Sequence, residues 1–307
     1  MLQEKSLIEE VIRYARLRNG YSQEELSEGI CTPETLSRIE TGKRNPTIKN
    51  FYALMEKLKT KLGYYNTDFV VEHFETLEKI SELKKHSIYK RWNIVEQLIK
   101  EIEAEIDMSN IINQQEIGLF HTILDCHFHR ITTEEAMERI ESLLKLSVEQ
   151  IDGKFILPCF PTSVEVALFN QIGVFYQKKN QQQEAINVLM SIYEYFHQGK
   201  LEAPEYNQRY FMILTNLACC LEELGELEKA MELMKEGIKI GITYNIARRI
   251  AANLIEIGYI EERMGKEQYL KTYEKAYYLA ELFGDFVNQK NLILHLEEIG
   301  KPLKCFI

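Results

Sequence analysis

Turn-forming residues are scarce in this chain, with six prolines and fifteen glycines among 307 residues. A β-sandwich or barrel needs more punctuation than that, so helices are expected. No apolar run approaches the ~20 residues that span a bilayer. No signal-peptide profile opens the chain, so the expected location is the cytoplasm, with no membrane partner. The six cysteines, at 31, 126, 159, 219, 220 and 305, form no C-x-x-C pair. Neither a zinc knuckle nor a disulfide framework is therefore indicated. The phosphate loop G-x-x-x-x-G-K-S/T, the dinucleotide fingerprint G-x-G-x-x-G and the nucleophile elbow G-x-S-x-G are also missing. Nothing nominates a catalytic group, a metal or a cofactor, and no enzyme is expected.

What is present is an ordinary globular composition, 45% hydrophobic and 27% charged, which argues against disorder. The length suggests two domains. The formal net charge of −10 is unfavourable for nucleic acid, but it is unevenly spread. Residues 1–62 carry eleven Lys/Arg against nine Asp/Glu, while residues 63–307 carry 26 against 38. A weakly basic head precedes an acidic body.

The head contains helical patterns separated by sharp stops. Ile8, Val11, Ile12 and Ala15 recur at helical spacing before Gly20. Ser22 and Glu25 form a capping box, with Leu26 and Ile30 on the buried side of the helix that follows. Thr32 then caps a helix with Pro33 at its first position, where a missing N–H costs nothing. Leu36 and Ile39 face inward from it, and Gly42 ends it. Thr47 caps a last helix carrying Phe51, Leu54, Met55 and Leu58. Two short helices joined by a short turn between flanking helices make a helix-turn-helix unit.

The run SQEELSEGICTPETLSRIETGKRNP resembles the Xre/Cro-type helix-turn-helix domain. That resemblance implies that the helix from Pro33 to Thr41 enters the major groove N-terminal end first. It implies a phosphate contact for Gln23, base-edge contacts for Pro33, Glu34 and Arg38 with Thr32 and Thr35 beside them, and backbone phosphate contacts for Lys43 and Arg44. It also implies a salt bridge between Arg16 and Glu40. The glycine usual in the turn is read as replaced by Cys31, in a turn one residue shorter.

The body shows internal similarity. Stretches beginning at Ala167, Met212 and Ala252 each carry an apolar–small pair, Ile172-Gly173, Leu217-Ala218 and Ile257-Gly258. Each is followed by a turn, at Asn180, Gly225 and Gly265, and in the first two by a small residue, Ala185 or Ala230. The pattern resembles the tetratricopeptide repeat, with longer spacing. Upstream, Ile123-Leu124 with Ala136 suggests a degraded pair, and residues 69–106 another, with Trp92 in its second helix. Leu292, Ile293, Leu296 and Ile299 suggest a capping helix.

The expected fold is all-α: a helix-turn-helix domain over residues 1–62, a linker at 63–68, and a right-handed superhelical array of tetratricopeptide-like helix pairs over 69–307. The repeat resemblance implies a concave groove for an extended peptide. Its facing positions fall on Asn170, Gln177, Thr215, Asn216, Glu222, Asn253, Tyr259 and Glu262. A carboxamide can pair with both N–H and C=O of a peptide whatever its side chains. His121, Asp125 and His129 share a helix face, but without a third strong ligand they are read as ordinary packed or polar residues. The cysteine pair at 219 and 220 is read as packing.

Head and body together resemble the RRNPP family (PlcR/Rgg-like) of peptide-responsive transcription regulators. The resemblance implies a homodimer on a palindromic operator in double-stranded DNA, controlled by a short signalling peptide. Three other roles remain open for the body: binding a protein partner, modulating a phosphorelay response regulator, or serving only to oligomerise a peptide-independent repressor.

Overall fold

The computed structural model describes residues 12–13, 16–17, 20–58, 69–71, 73–151, 154–158, 161–197, 204–243 and 247–301. Ile8, Val11, Ala15, the linker at 63–68, Cys159 and Cys305 lie outside the described residues. The chain divides into two compact units, Met1–Leu124 and Asp125–Ile307.

In the first unit, α1 (Gln23–Ser27), α2 (Pro33–Glu40) and α3 (Ile48–Lys57) are followed by α4 (Phe74–Ile88) and α5 (Trp92–Glu103). The core joins Ile12, Leu26, Leu36, Ile39, Phe51 and Leu54, with Met55 and Leu58 beside them. These are the residues the periodicity turns inward. Leu77 of α4 joins the same core, so apolar burial continues past α1, α2 and α3.

Local chemistry sets the boundaries. Glu25 N donates to Ser22 Oγ at 3.0 Å and Ser22 N donates to Glu25 Oε2 at 2.7 Å, a complete capping box. Asn50 N donates to Thr47 Oγ1 at 3.2 Å at the start of α3. The turn between α1 and α2 departs from expectation. Its left-handed residue is Gly29, at φ 77°, while Cys31 takes no positive φ. The turn glycine is therefore present two residues earlier, and Cys31 needs no special backbone.

A buried carboxamide holds an extended segment in this unit. Asn113 accepts from Val70 N and donates to Val70 O, both at 2.8 Å, and donates to Asp107 O at 3.0 Å. It sits on α6 (Ile111–His127).

The second unit continues with α7 (Thr133–Leu144), β1 (Gln150–Ile151), β2 (Lys154–Phe155), α8 (Ser163–Lys178) and α9 (Gln182–His197). Then come α10 (Pro204–Glu223), α11 (Leu227–Thr243), α12 (Ala247–Arg263), α13 (Tyr269–Leu282) and α14 (Phe286–Glu298). Packing is between neighbours: α8 with α9, α10 with α11, α12 with α13, and each pair with the next. Close approach depends on missing side chains. A Cβ on Gly173 would lie 2.7 Å from Leu189 Cγ, and one on Gly258 would lie 2.2 Å from Tyr273 Cε1. The expected turns at Asn180, Gly225 and Gly265 all have positive φ. Each turn satisfies the end of its first helix by the same pair of bonds, as in Gly225 N to Glu222 O and Glu226 N to Leu221 O, both 2.9 Å.

One element departs from a wholly helical body. β1 and β2 form an antiparallel hairpin pairing Gln150 with Phe155 and Ile151 with Lys154. Among the described residues no helix is long and apolar enough to cross a membrane.

Candidate functional site

Helix α2 presents its N-terminal end. Thr32 is extended (φ −81°, ψ 153°), and its Oγ1 accepts from Thr35 N at 3.2 Å. The two threonine hydroxyls lie 3.1 Å apart, and Pro33 occupies the first turn. Leu36, Ile39 and Glu40 are buried, which leaves Glu34 and Arg38 exposed one turn apart. Hydrogen bonds from its own amide and from Thr32 hold the Glu34 carboxyl below the usual carboxylate range. The Arg38 guanidinium has no hydrogen-bond partner among the described residues. Lys43 and Arg44 are exposed in the turn after Gly42.

A buried brace fixes this helix. Arg16 donates to Glu40 through Nε at 2.6 Å and Nη2 at 2.8 Å, and through Nη1 to Tyr21 O at 2.9 Å. Burial alone would raise the Glu40 carboxyl, but hydrogen bonds from Arg16 and Gln23 outweigh it and hold it low. Gln23 Nε2 is the second donor, 2.8 Å from Glu40 Oε2. The amide expected to meet a phosphate is therefore engaged with the end of α2.

In the second unit, the residues expected to face a groove link alternate helices instead of standing alone. Asn216 Nδ2 on α10 donates to Asn170 Oδ1 on α8 at 2.9 Å. Thr215 Oγ1 donates to Asn253 Oδ1 on α12 at 3.0 Å. Gln177 Nε2 donates to Glu223 at 2.9 Å, and Arg263 Nη1 donates to Glu222 Oε1 at 3.0 Å. Glu262 accepts from Tyr273 Oη at 2.8 Å and lies 2.8 Å from His295 Nε2. The Tyr259 ring meets His295 edge-on, centroids 4.6 Å apart.

Asn253 corrects the expectation of a groove-facing side chain, because it is fully enclosed. The reason is Gly237 on α11, where a Cβ would lie 2.7 Å from Asn253 Nδ2. The missing side chain lets α11 close over the amide, and Nδ2 has no hydrogen-bond partner among the described residues.

Sequence reasoning passed over Glu256, on α12 between Asn253 and Tyr259. Burial, with Glu222 adding to it, pushes its carboxyl up to about 7. The signal was available, since Glu256, Tyr259 and Glu262 recur at three-residue intervals along one helix. Burial likewise pushes both adjacent thiols up, Cys220 to about 11, which makes them poor nucleophiles. His121 pairs with Glu103 at 2.9 Å, and Asp125 is taken by Arg139 at 2.6 Å. Among the described residues no group of His, Cys, Asp and Glu is arranged to hold a metal.

The helix-turn-helix family matches residues 12–65. A comparison with curated proteins returns no match. Among solved structures, the chain is similar to Bacillus thuringiensis PlcR in complex with the peptide PapR7 and DNA. The TM-score there is 0.65 at 17% identity, covering 93% of this chain and 98% of that one. It is also similar to ComR from S. thermophilus in complex with DNA and its signalling peptide ComS, with a TM-score of 0.55, 15% identity and coverage of 96% and 98%. A Rap protein complexed with Competence and Sporulation Factor gives a TM-score of 0.54 at 15% identity, covering 97% of this chain and 72% of that one. The chain has the all-α fold implied by the RRNPP resemblance, a helix-turn-helix head followed by packed helix pairs.

Proposed function

We propose that the chain is a DNA-binding transcription regulator of the RRNPP type, controlled by a short peptide. The observation that carries this reading is the union of two parts in one chain. A helix-turn-helix presents Arg38, without a hydrogen-bond partner among the described residues, beside Glu34, and the fold matches nearly all of a protein held with both peptide and DNA. In this reading residues 1–62 bind DNA, 63–68 link, and 69–307 are a tetratricopeptide-like sensing and dimerisation domain. Two copies place their α2 helices in successive major grooves of a palindromic operator, about 34 Å apart. Thr32, Pro33, Glu34, Thr35 and Arg38 read bases, and Gln23, Lys43 and Arg44 hold phosphate.

The peptide lies along α8, α10 and α12, against Asn170, Gln177, Thr215, Asn216, Glu222, Tyr259 and Glu262. Hydrogen bonds to one another or to neighbouring side chains hold most of these polar atoms in place before a ligand arrives, which lowers the ordering cost of binding. A peptide shifts the DNA-binding equilibrium only as far as it prefers one arrangement of the protein. A tenfold change in DNA affinity requires ~1.4 kcal/mol of coupling.

The test is a gel shift on the region upstream of the chain's own gene, with and without short synthetic peptides. Arg38→Ala is expected to weaken specific binding by about 1–3 kcal/mol and relax discrimination at one base position. Lys43→Ala is expected to weaken specific and random DNA alike, lowering the salt slope by about 1. Equal losses on both DNAs from Arg38→Ala would remove that residue from base reading. No preference of the wild type for its upstream region over random DNA would remove the operator from the reading.

A further inference from the structure

Between α7 and the α8–α9 pair, beneath the β1–β2 hairpin, lies a cavity of about 500 Å³. None of the residues assigned to the peptide lines it. Its walls are apolar and aromatic: Phe155 and Leu157 from the hairpin side, Phe169 and Tyr176 from α8, Val188 and Tyr195 from α9. That volume falls within the range of small-molecule sites, about 300–1,000 Å³. The hairpin that roofs it belongs to the connection over residues 145–162, whose described strands lie outside the helix-pair pattern. Long connections with structure of their own commonly serve binding.

Charge at the cavity is one-sided. Glu141 of α7 and Glu184 and Glu194 of α9 line it, against the single cation Lys154 of the hairpin. None of these carboxylates has an ion-pair partner among the described residues. Two of them converge on one phenol: burial, then Glu141 and Glu184, raise the Tyr176 hydroxyl above its ordinary range. Aromatic faces carry negative potential as well, so rings and carboxylates favour the same sign of ligand.

We infer that this cavity is a second ligand site, taking a small amphipathic cation with an aromatic or aliphatic body in the apolar chamber and a protonated amine at the carboxylates. Such a ligand touches α7, α8, α9 and the hairpin at once, and so ties one helix pair to the element before it. The inference needs neither the operator nor the peptide, and it holds or fails without them.

The probes are 4-phenylbutylamine and its anionic counterpart 4-phenylbutyrate, titrated calorimetrically into the full chain. Saturable amine binding at one site is expected, with the carboxylate at least tenfold weaker. Glu184→Gln, at an exposed side chain, should weaken the amine several-fold. Val188→Trp, which fills the chamber, should abolish binding with an unchanged helical circular dichroism spectrum; Ser191→Phe fills the same space should that variant misfold. Equal affinity for amine and carboxylate would overturn the inference. So would undiminished amine binding in Glu184→Gln and a folded chamber-filling variant, loss of the amine site on Asn216→Ala alone, or a chamber variant that changes only self-association, which would assign the cavity to a second copy of the chain.

Discussion

Among the described carboxylates of the second unit, Glu256 is the one held well above its ordinary range. Its carboxyl is pushed up to about 7 by burial, with the charge of Glu222 adding to the effect. The folded chain thus binds this proton more tightly than the unfolded chain does. Its stability is full below the ordinary carboxylate range, falls as pH rises toward 7, and bears the whole penalty above that. Replacing Glu256 with Gln should therefore stabilise the protein by about 1–3 kcal/mol at pH 8 and leave it unchanged near pH 4. Melting temperature measured against pH checks this, and a constant offset at every pH would exclude the charge as the cause. The residue was legible as part of a helical stripe, but its environment was not. Part of that environment is the charge of Glu222 on α10, which is distant in sequence. The same distinction separates the two asparagines of the Asn170–Asn216 bond from their partnership. Each was visible as a polar side chain on a first helix, while the bond between them spans 46 residues of separation.

At the scale of the element, stops and starts were the most legible features, because they are settled by a few neighbouring atoms. Ser22, Thr32 and Thr47 cap where expected, and Gly42, Gly225 and Gly265 turn where expected. The exceptions are instructive. The left-handed turn residue is Gly29, which was passed over in favour of Cys31. The hairpin was also passed over, although Asp152-Gly153 between Ile151 and Lys154 is a strong hairpin dipeptide. Strong helical periodicity on both sides obscured a short period-two segment. The helix interfaces allow a separate prediction. Gly258→Ala places a methyl group against the buried ring of Tyr273, and the overpacking should cost about 1–3 kcal/mol despite the better helix propensity of Ala. Gly29→Ala meets no atom within 4 Å, so its cost is backbone strain alone, about 1–2 kcal/mol. Urea denaturation of both variants checks the pair; an unaltered midpoint for Gly258→Ala would show that α13 moves aside freely.

For the molecule as a whole, the division of charge into a weakly basic head and an acidic body says more than the net value of −10 does. In the proposed function, the acidic body repels a phosphate backbone and so confines nucleic-acid contact to the head. In the second unit each helix packs chiefly on its neighbours in sequence, so stability there is close to a sum of nearest-neighbour terms. Native-state hydrogen exchange should accordingly show greatest protection in α10 and α11, which have a packed pair on either side, and earlier opening in α14. Uniform protection from α8 to α14 would indicate a single cooperative block.

The repeated left-handed caps have a consequence for how such a chain can change its length. Each first helix ends on its own bonds, needing nothing from the pair that follows, and each pair offers one packing face on either side. Duplicating or deleting a whole pair preserves every cap and leaves like faces in contact, whereas adding a single helix would reverse the direction of all that comes after it. The array is therefore free to grow or shrink by pairs.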